Sequence, residues 1–172
     1  MKIRLKQLLF AIAMVFALTT STNAQRIAVV DITEVLNSME EYTAAQAELD
    51  AISEKWRQEI SGQQEKIAGL YNAYQAEQVL LSDDAKVEKE NEIIAMEKKV
   101  RDLQRRRFGP DGDLFRKRED LVAPIQQTVY NTIEDYASER GYDFIFDKGG
   151  SAGILFANPR MDKTNDIINR LQ

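Results

Sequence analysis

The chain contains no cysteine and no histidine, and each absence removes a class of chemistry. Without cysteine, the protein has no disulfide, no thiolate zinc site and no cysteine nucleophile. Without histidine, it lacks the usual general base and the commonest metal ligand of proteins. Its stability must therefore come from packing.

Motifs for nucleotide chemistry are missing as well. No G-x-x-x-x-G-K-[ST] loop is present, and Gly149, Gly150 and Gly153 lack the lysine that such a loop needs. The chain is rich in carboxylates, but no pair of them has the spacing of a catalytic cleft. We therefore predict that the protein is not an enzyme and that it uses no metal and no cofactor.

The first 24 residues have the pattern of a secretory signal peptide. Lys2, Arg4 and Lys6 give a positive start, an apolar run covers 8–18, and small residues precede Gln25. The apolar run is too short to span a bilayer. Cleavage before Gln25 would leave 148 residues, enough for about one domain, with no cysteine to carry a lipid anchor. The sequence therefore predicts export from the cytoplasm as a soluble protein.

The chain after residue 24 is acidic. All 28 acidic residues lie there, together with 20 of the 23 basic residues, because the other three bases belong to the signal segment. The formal charge of this part is therefore −8. Because lysine and arginine drive phosphate binding, this balance argues against a protein that coats nucleic acid or binds an anionic membrane.

The next feature is a short strand followed by a very long helical pattern. Residues 26–31 form a β-branched apolar run, and Asp31 with Glu34 resembles a capping box that starts a helix. From about 33 to 109, apolar residues recur at steps of three, four or seven with few breakers. The seam consists of Leu49, Ile52, Trp56, Ile60, Ile67, Leu70, Tyr74, Ile93, Met96, Val100 and Leu103. Ser82, followed by two acids, predicts a turn and a new helix cap in the middle.

Two patterns indicate that the two legs of this segment lie antiparallel. With the turn near Ser82, the numbers of facing residues add up to about 164, which places Trp56 opposite Phe108. The charges agree independently, since 31–65 carries nine acids and two bases, whereas 98–118 carries nine bases and three acids. Agreement between two separate patterns favours one hairpin.

Beyond the hairpin, the sequence predicts a small body. Gly and Pro in 109–112 should end or kink a helix, and Pro124 should introduce a second bend near Asp120. Two short apolar strands, 143–147 and 154–157, would join the N-terminal strand before a last helix capped by Asp162. The predicted fold is α+β, a small three-stranded body with one long antiparallel hairpin. A chain of this size cannot cover such a hairpin, so assembly through the sheet end is expected.

Five segments resemble the Skp/OmpH family of periplasmic chaperones, and the resemblance covers essentially the whole mature chain. The segments are 26–31, 121–125, 141–147, 154–157 and 162–164. Each segment is weakly specific alone, but their order and spacing after a signal peptide are fairly specific.

The resemblance implies a homotrimer in which strands of three subunits form a β-barrel body and three hairpins hang as tentacles around a cavity. Residues 25–40 and 119–172 would belong to the body, and 41–118 to the tentacle. It also implies ATP-independent holding of unfolded outer-membrane proteins in the periplasm of a Gram-negative bacterium. The best-known members are strongly basic and attract acidic clients and lipopolysaccharide. Because this chain is acidic, lipopolysaccharide or membrane contact is doubtful for it, whereas client holding is expected.

A structural coiled-coil spacer or scaffold of the cell envelope is the alternative function. It would share the signal peptide, the apolar seam and the acidic surface. A stalk, however, usually sustains one regular heptad, whereas this chain ends in a compact sheet.

Three sets of residues are candidates for client binding and assembly. Near the tip, five residues either grip clients or close the hairpin core: Tyr71, Tyr74, Val79, Leu80 and Leu81. In the basic stretch, Arg105, Arg106 and Arg107 either attract acidic client segments or neutralise acids on the facing helix. The trimer body is expected to use Ile27, Val29, Phe144, Phe146, Ile154 and Phe156. Trp56 is expected to be a core residue packed on Phe108 rather than a ligand platform.

Overall fold

The computed structural model describes residues 25–150 and 153–172, so the predicted signal peptide lies outside the described residues. The elements in chain order are β1 (Ile27–Val30), α1 (Ile32–Ser38), α2 (Glu40–Glu77), α3 (Asp83–Phe108), α4 (Asp113–Arg140), β2 (Phe144–Asp147), a 3-10 turn (Pro159–Met161) and α5 (Thr164–Leu171). Across these residues, no helix combines the length and apolar character needed to cross a bilayer.

The helices α2 and α3 form the predicted antiparallel hairpin. At 1.5 Å per residue, the 38 residues of α2 extend about 57 Å. The turn follows Glu77, and the Ser82 hydroxyl accepts a hydrogen bond from the Ala85 amide (3.3 Å) to cap α3. The register is also confirmed, because the ring of Trp56 contacts that of Phe108.

A helix break at Met39 was not predicted. Asp31 caps α1 as expected, with its carboxylate accepting from the Glu34 amide (3.0 Å). Met39, however, adopts an extended conformation (φ −89°, ψ 125°) and separates α1 from α2. Its side chain packs against the body core, so tertiary packing rather than a local breaker turns the chain here.

The predicted break at 109–112 is present, and Pro124, for which a bend was predicted, lies inside one helix. The segment separates α3 from α4, and Gly109 and Gly112 permit close backbone contacts there. A Cβ atom on Gly109 would lie 2.4 Å from the Arg105 carbonyl oxygen, and one on Gly112 would lie 2.8 Å from that of Arg106. The helix α4 runs continuously through Pro124 and ends at Gly141, whose φ of 67° suits glycine.

The sheet of the described chain has two parallel strands. Ile27 of β1 pairs with Phe144 of β2, and the register continues to Val30 and Asp147. The strand β1 is almost entirely buried. In β2, by contrast, Phe144 and Phe146 point outward, while Ile145 between them packs on the core.

The prediction of a third strand at 154–157 is not confirmed in this chain, where residues 153–158 have no regular secondary structure. The edge of β1 opposite β2 is already occupied, because Val29 forms a bridge with Asp162 and accepts a hydrogen bond from the Lys163 amide (2.8 Å). The segment consequently lies off the sheet, with Leu155 100% and Phe156 83% exposed.

The body core lies where α1, α4 and α5 meet β1. Its buried members are Val30, Val35, Leu36, Val129, Tyr136 and Ile167. The Tyr136 hydroxyl donates to Asp166 (2.6 Å) and Arg170 pairs with Glu139, which fastens α5 to α4. At the start of α5, Lys163 rather than Asp162 occupies the capping position, although the Asp162 carboxylate accepts from the Thr164 amide (3.0 Å).

Candidate binding surfaces of the hairpin and body

The hairpin tip exposes two neighbouring apolar side chains. Val79 is 83% exposed and Leu80 is 85% exposed, and both lie in the turn between α2 and α3. Leu81 is half-buried, and Tyr71 is half-exposed one to two helical turns before the tip. Val79 and Leu80 therefore do not close the hairpin core, and their apolar surface is available to a partner.

Tyr74 differs from the other residues of the tip set because it has a partner across the hairpin. Its hydroxyl donates a hydrogen bond to the Glu90 carboxylate, and the residue numbers again add up to 164. This hydrogen bond, with a smaller effect of burial, raises the pKa of the Tyr74 phenol above its ordinary value. Tyr74 therefore fixes the pairing of α2 with α3 near the tip.

The basic stretch presents most of its charges to solvent. Arg105 and Arg106 are exposed, and within the described chain neither has a carboxylate within 4.0 Å. Arg101 pairs with Glu97 on its own helix (3.4 Å). The predicted neutralisation of the facing helix is limited to one ion pair between α2 and α3 among the described residues.

That ion pair is made by Arg107, whose side chain turns inward and is only 27% exposed. Its guanidinium lies 2.8 Å from the Asp113 carboxylate and 3.7 Å from that of Glu59. The same group stacks over the Trp56 ring, with 4.5 Å from the guanidinium carbon to the ring centroid. Arg107 therefore contacts α2 and α4 at once, whereas Arg105 and Arg106 form no ion pair with the described carboxylates.

A groove between α2 and α3 lies just on the tip side of Arg107. Sequence reasoning did not single it out. It has a volume of about 510 Å³. Its lining consists of Glu59, Gln63, Met96, Lys99, Val100, Asp102, Leu103 and Arg106. The signal in the sequence was present but ambiguous, because Met96, Val100 and Leu103 have the spacing of an ordinary hairpin seam.

The body carries a second exposed apolar surface. Phe144 and Phe146 stack on each other (6.1 Å between ring centroids) on the outward face of β2. Leu155 and Phe156, later in the chain, are also exposed. Of the other residues predicted for the trimer body, Val29 is buried in the single chain, while Ile27 and Ile154 are half-buried. The exposed large apolar side chains of the strand β2 and of residues 153–158 are together called the body patch: Phe144, Phe146, Leu155 and Phe156.

A family model described as outer membrane protein (OmpH-like) matches residues 26–171. The chain belongs to the OmpH-like family. The match spans both strands, the whole hairpin and all but the first and last residues of the described chain.

Two relatives of this OmpH-like protein support the assignment. The chaperone protein Skp of Yersinia enterocolitica is 22% identical over 167 residues, which cover 94% of this chain and 95% of that protein. The crystal structure of a protein described as an OmpH-like outer membrane chaperone, from Caulobacter crescentus, superposes with a TM-score of 0.69 at 16% identity. It covers 89% of this chain and 87% of that one, so the fold is shared along nearly the whole length.

Ion pairs to Lys148 connect three segments of the OmpH-like body. Lys148 lies 2.7 Å from Asp162 and 3.9 Å from Glu34. Partial burial opposes ionisation of Asp162, but hydrogen bonds from Lys148 and Thr164 outweigh it and lower the pKa of that carboxyl to about 2. In the described part of the chain, no three acidic side chains converge in a way that would hold a metal ion. This cluster therefore fastens the C-terminal segment to the body.

Proposed function

We propose that this OmpH-like protein is an ATP-independent holdase chaperone of the periplasm. It binds unfolded outer-membrane proteins between the hairpins of a homotrimer and prevents their aggregation. The observation that carries the proposal is the projecting hairpin, about 57 Å long, whose tip exposes Val79 and Leu80. The similarity to proteins named as chaperones along almost the whole chain supports the same function.

The proposed assembly follows from the body patch. Phe144 and Phe146 stack on each other, and they and the fully exposed Leu155 present large apolar side chains to solvent. Exposed apolar surface of this kind usually marks a contact between proteins. Among the described residues, the outer edge of β2 also has no strand partner, because β1 lies along the other edge. Pairing with further copies would cover both. Residues 153–158 would then gain the strand partners that they lack in a single chain.

The proposed holding mechanism depends on many weak contacts rather than on one tight site. Exposed apolar side chains at the tip contact apolar client segments, and exposed Arg105 and Arg106 attract acidic ones. Each contact is small and non-directional, so clients of different sequence are accepted. A client separated from other unfolded chains by the surrounding hairpins does not aggregate, and no nucleotide is needed for release.

The decisive experiment is suppression of aggregation. A urea-unfolded porin is diluted into buffer with and without the purified protein, and light scattering is followed over time without ATP. A holdase keeps scattering low at a stoichiometry of about one assembly per client. A structural spacer would leave the aggregation curve unchanged, and this result would reject the proposal.

Light scattering after size exclusion gives the mass of the assembly, and N-terminal sequencing of the secreted protein tests whether it begins at Gln25.

A further inference from the structure

The outer face of α3 carries apolar and basic side chains that the described chain leaves exposed. Val87 and Ile94 are 56% and 57% exposed, and they lie seven residues apart, which is about two turns of the helix. Lys98 and Arg105 have the same spacing and are also exposed. Lys98 follows the buried Ile93 by five residues, so it points roughly 140° away from the hairpin seam. This face of α3 is therefore available to a partner.

The outer face of α2 carries the opposite charge. Glu54 and Glu65 are both exposed. Each follows a buried seam residue, Leu49 or Ile60, by five positions, so each also points away from the seam. Among the described residues, Glu65 forms no ion pair, and Glu54 has only a same-helix pair with Arg57 at 3.8 Å. Exposed pairs of this kind contribute little, so both carboxylates can accept a second partner.

Two glycines on α2 have no explanation within a single chain. Gly62 and Gly69 lie inside the helix, where glycine is less favourable than alanine. A Cβ atom on either would meet no atom within 4 Å. Gly69 follows Glu65 by four residues and is exposed, so it lies on the same outer face. Glycine at such a position permits close approach of another protein segment.

The two outer faces also match in height along the hairpin. In a cyclic assembly whose axis runs along the hairpins, rotation preserves height. Residues whose numbers add up to about 164 are therefore level between neighbouring copies, as they are within one chain. The level pairs are Ile94 with Gly69, Lys98 with Glu65, and Arg105 with Glu54. The last pair is offset by five residues, about 7 Å, a gap that two long side chains can bridge.

The distribution of charge favours a ring over a twofold pair. Among the described residues, a single ion pair joins α2 to α3 within the chain, so the opposite charges of the two legs face away from each other. A ring brings different faces of neighbouring copies together, here α2 against α3, whereas a twofold contact through α2 would place acid against acid. Attraction at this contact also offsets the repulsion between chains that each carry −8.

We propose that the outer face of α3 in one copy packs against the outer face of α2 in the neighbouring copy, with Ile94 against Gly69 and with the two bases paired to the two acids. This contact rests on the proposed function, because it needs the homotrimer. It joins the three hairpins side by side into a wall. Acidic client segments then compete with the neighbouring α2 for Arg105.

Disulfide cross-linking tests the contact directly, because the chain has no cysteine of its own. Ser61→Cys and Asp102→Cys place one thiol on each outer face, at exposed positions that are level with each other. Within one chain these thiols point apart, so they cannot bridge. Copper phenanthroline and air oxidise the full-length double variant, and a non-reducing gel separates the products. Single-cysteine chains can link only in pairs, so a covalent trimer identifies contact between α2 and α3 of different copies.

We expect the double-cysteine protein to give covalent trimers at low salt. Glu54→Lys with Glu65→Lys should reduce their rate of formation by about tenfold, because like charges then face each other. Lys98→Glu with Arg105→Glu should do the same. All four substitutions together should restore cross-linking, because the attraction is then reversed in direction but intact. High salt should slow cross-linking of the parent protein through screening.

Two further variants separate the contact from general effects of charge and folding. Glu48→Lys with Glu77→Lys makes the same change of charge at exposed positions of α2 on other faces, and it should leave the rate unchanged. Gly69→Leu improves the helix propensity of α2, and the added side chain meets open space within one chain. It should nevertheless reduce cross-linking, because the neighbouring Ile94 occupies that space.

A protein that is trimeric by light scattering but gives no covalent trimer would overturn the contact and leave the assembly in place. A monomeric protein would overturn both. Charge reversals that fold by circular dichroism and leave the rate unchanged would also overturn the contact. If they do not fold, a rate that is independent of salt would overturn it equally. Covalent trimers from a protein that does not suppress porin aggregation would refute the chaperone function and leave the contact standing.

Discussion

Trp56 and Phe108 meet edge to face across the hairpin, with 6.2 Å between their ring centroids and 82° between their planes. This geometry is favourable for aromatic rings, and it contributes about 0.5–1.5 kcal/mol beyond the area the rings bury. Both residues are half-buried and lie on opposite legs, so the contact ties the legs together at the end of α3.

The first prediction concerns the coupling between these two rings. Trp56→Ala and Phe108→Ala should each destabilise the protein, and the double variant should be less destabilised than the sum by about 0.5–1.5 kcal/mol. Urea unfolding followed by circular dichroism at one protein concentration measures the four free energies of unfolding, those of the unsubstituted protein and of the three variants. The control cycle pairs Trp56→Ala with Phe144→Ala in the body, where additive effects are expected. Additivity in both cycles would contradict the role of the contact.

Local signals account for the parts of the fold that the sequence predicted. A serine followed by two acids, as at Ser82, is typical of a helix N-cap, and glycine with proline, as in Gly109 to Gly112, is typical of a helix break. The prediction that Trp56 lies opposite Phe108 followed from the position of the turn alone. Each of these inferences depended on the nearest few residues or on simple geometry, and each is present in the structure.

The features that sequence reasoning missed depend on distant contacts. Met39 ends a helix without being a breaker, because the body core takes up its side chain. The apolar run at 154–157 has the composition of a strand, but Asp162 and Lys163 already occupy the edge of β1 opposite β2. The run of three arginines gave no indication that Arg107 alone turns inward, because that direction depends on Glu59 and Asp113.

The second prediction concerns assembly through the body patch. Phe146→Asp places a charge in apolar surface that the proposed trimer covers, so it should yield monomers by light scattering. Phe115→Asp is the matched control, because Phe115 is exposed to a similar extent but lies in the first turn of α4. A Phe146→Asp protein of unchanged mass would show that the patch is not the assembly surface.

The third prediction concerns the tip. Val79→Ser together with Leu80→Ser removes the two most exposed apolar side chains of the hairpin and should weaken suppression of porin aggregation. The mass of the assembly and the melting temperature should stay the same, because neither side chain is packed. Tyr130→Ser on α4 serves as the control for loss of an exposed apolar residue outside the tentacle. Dissociation of the tip variant would instead assign these residues to structure.

The fourth prediction concerns the exposed arginines. Arg105→Glu with Arg106→Glu should raise the dissociation constant for an acidic client much more at low salt than at high salt, since screening removes the attraction. Fluorescence titration with a labelled unfolded porin measures the constant at each ionic strength. Arg57→Glu on α2 is the control, since Arg57 has only a same-helix pair with Glu54 in the described structure. An equal loss at both ionic strengths would exclude electrostatic steering by this pair.

The last prediction concerns acid stability and the Asp162–Lys148 pair. Because the pKa of folded Asp162 lies at about 2, below its ordinary value of 3.8, the ionised carboxylate stabilises the fold above pH 3.8. That contribution, about 1–2 kcal/mol after solvent screening, is lost as the pH falls from 3.8 to about 2. The free energy of unfolding in urea should therefore differ between the unsubstituted protein and Asp162→Asn at pH 5, and the difference should shrink towards pH 2. Asp111→Asn, at an exposed site, should show no such change. A constant difference across this range would mean that Asp162 stabilises the body through hydrogen bonds that do not need its charge.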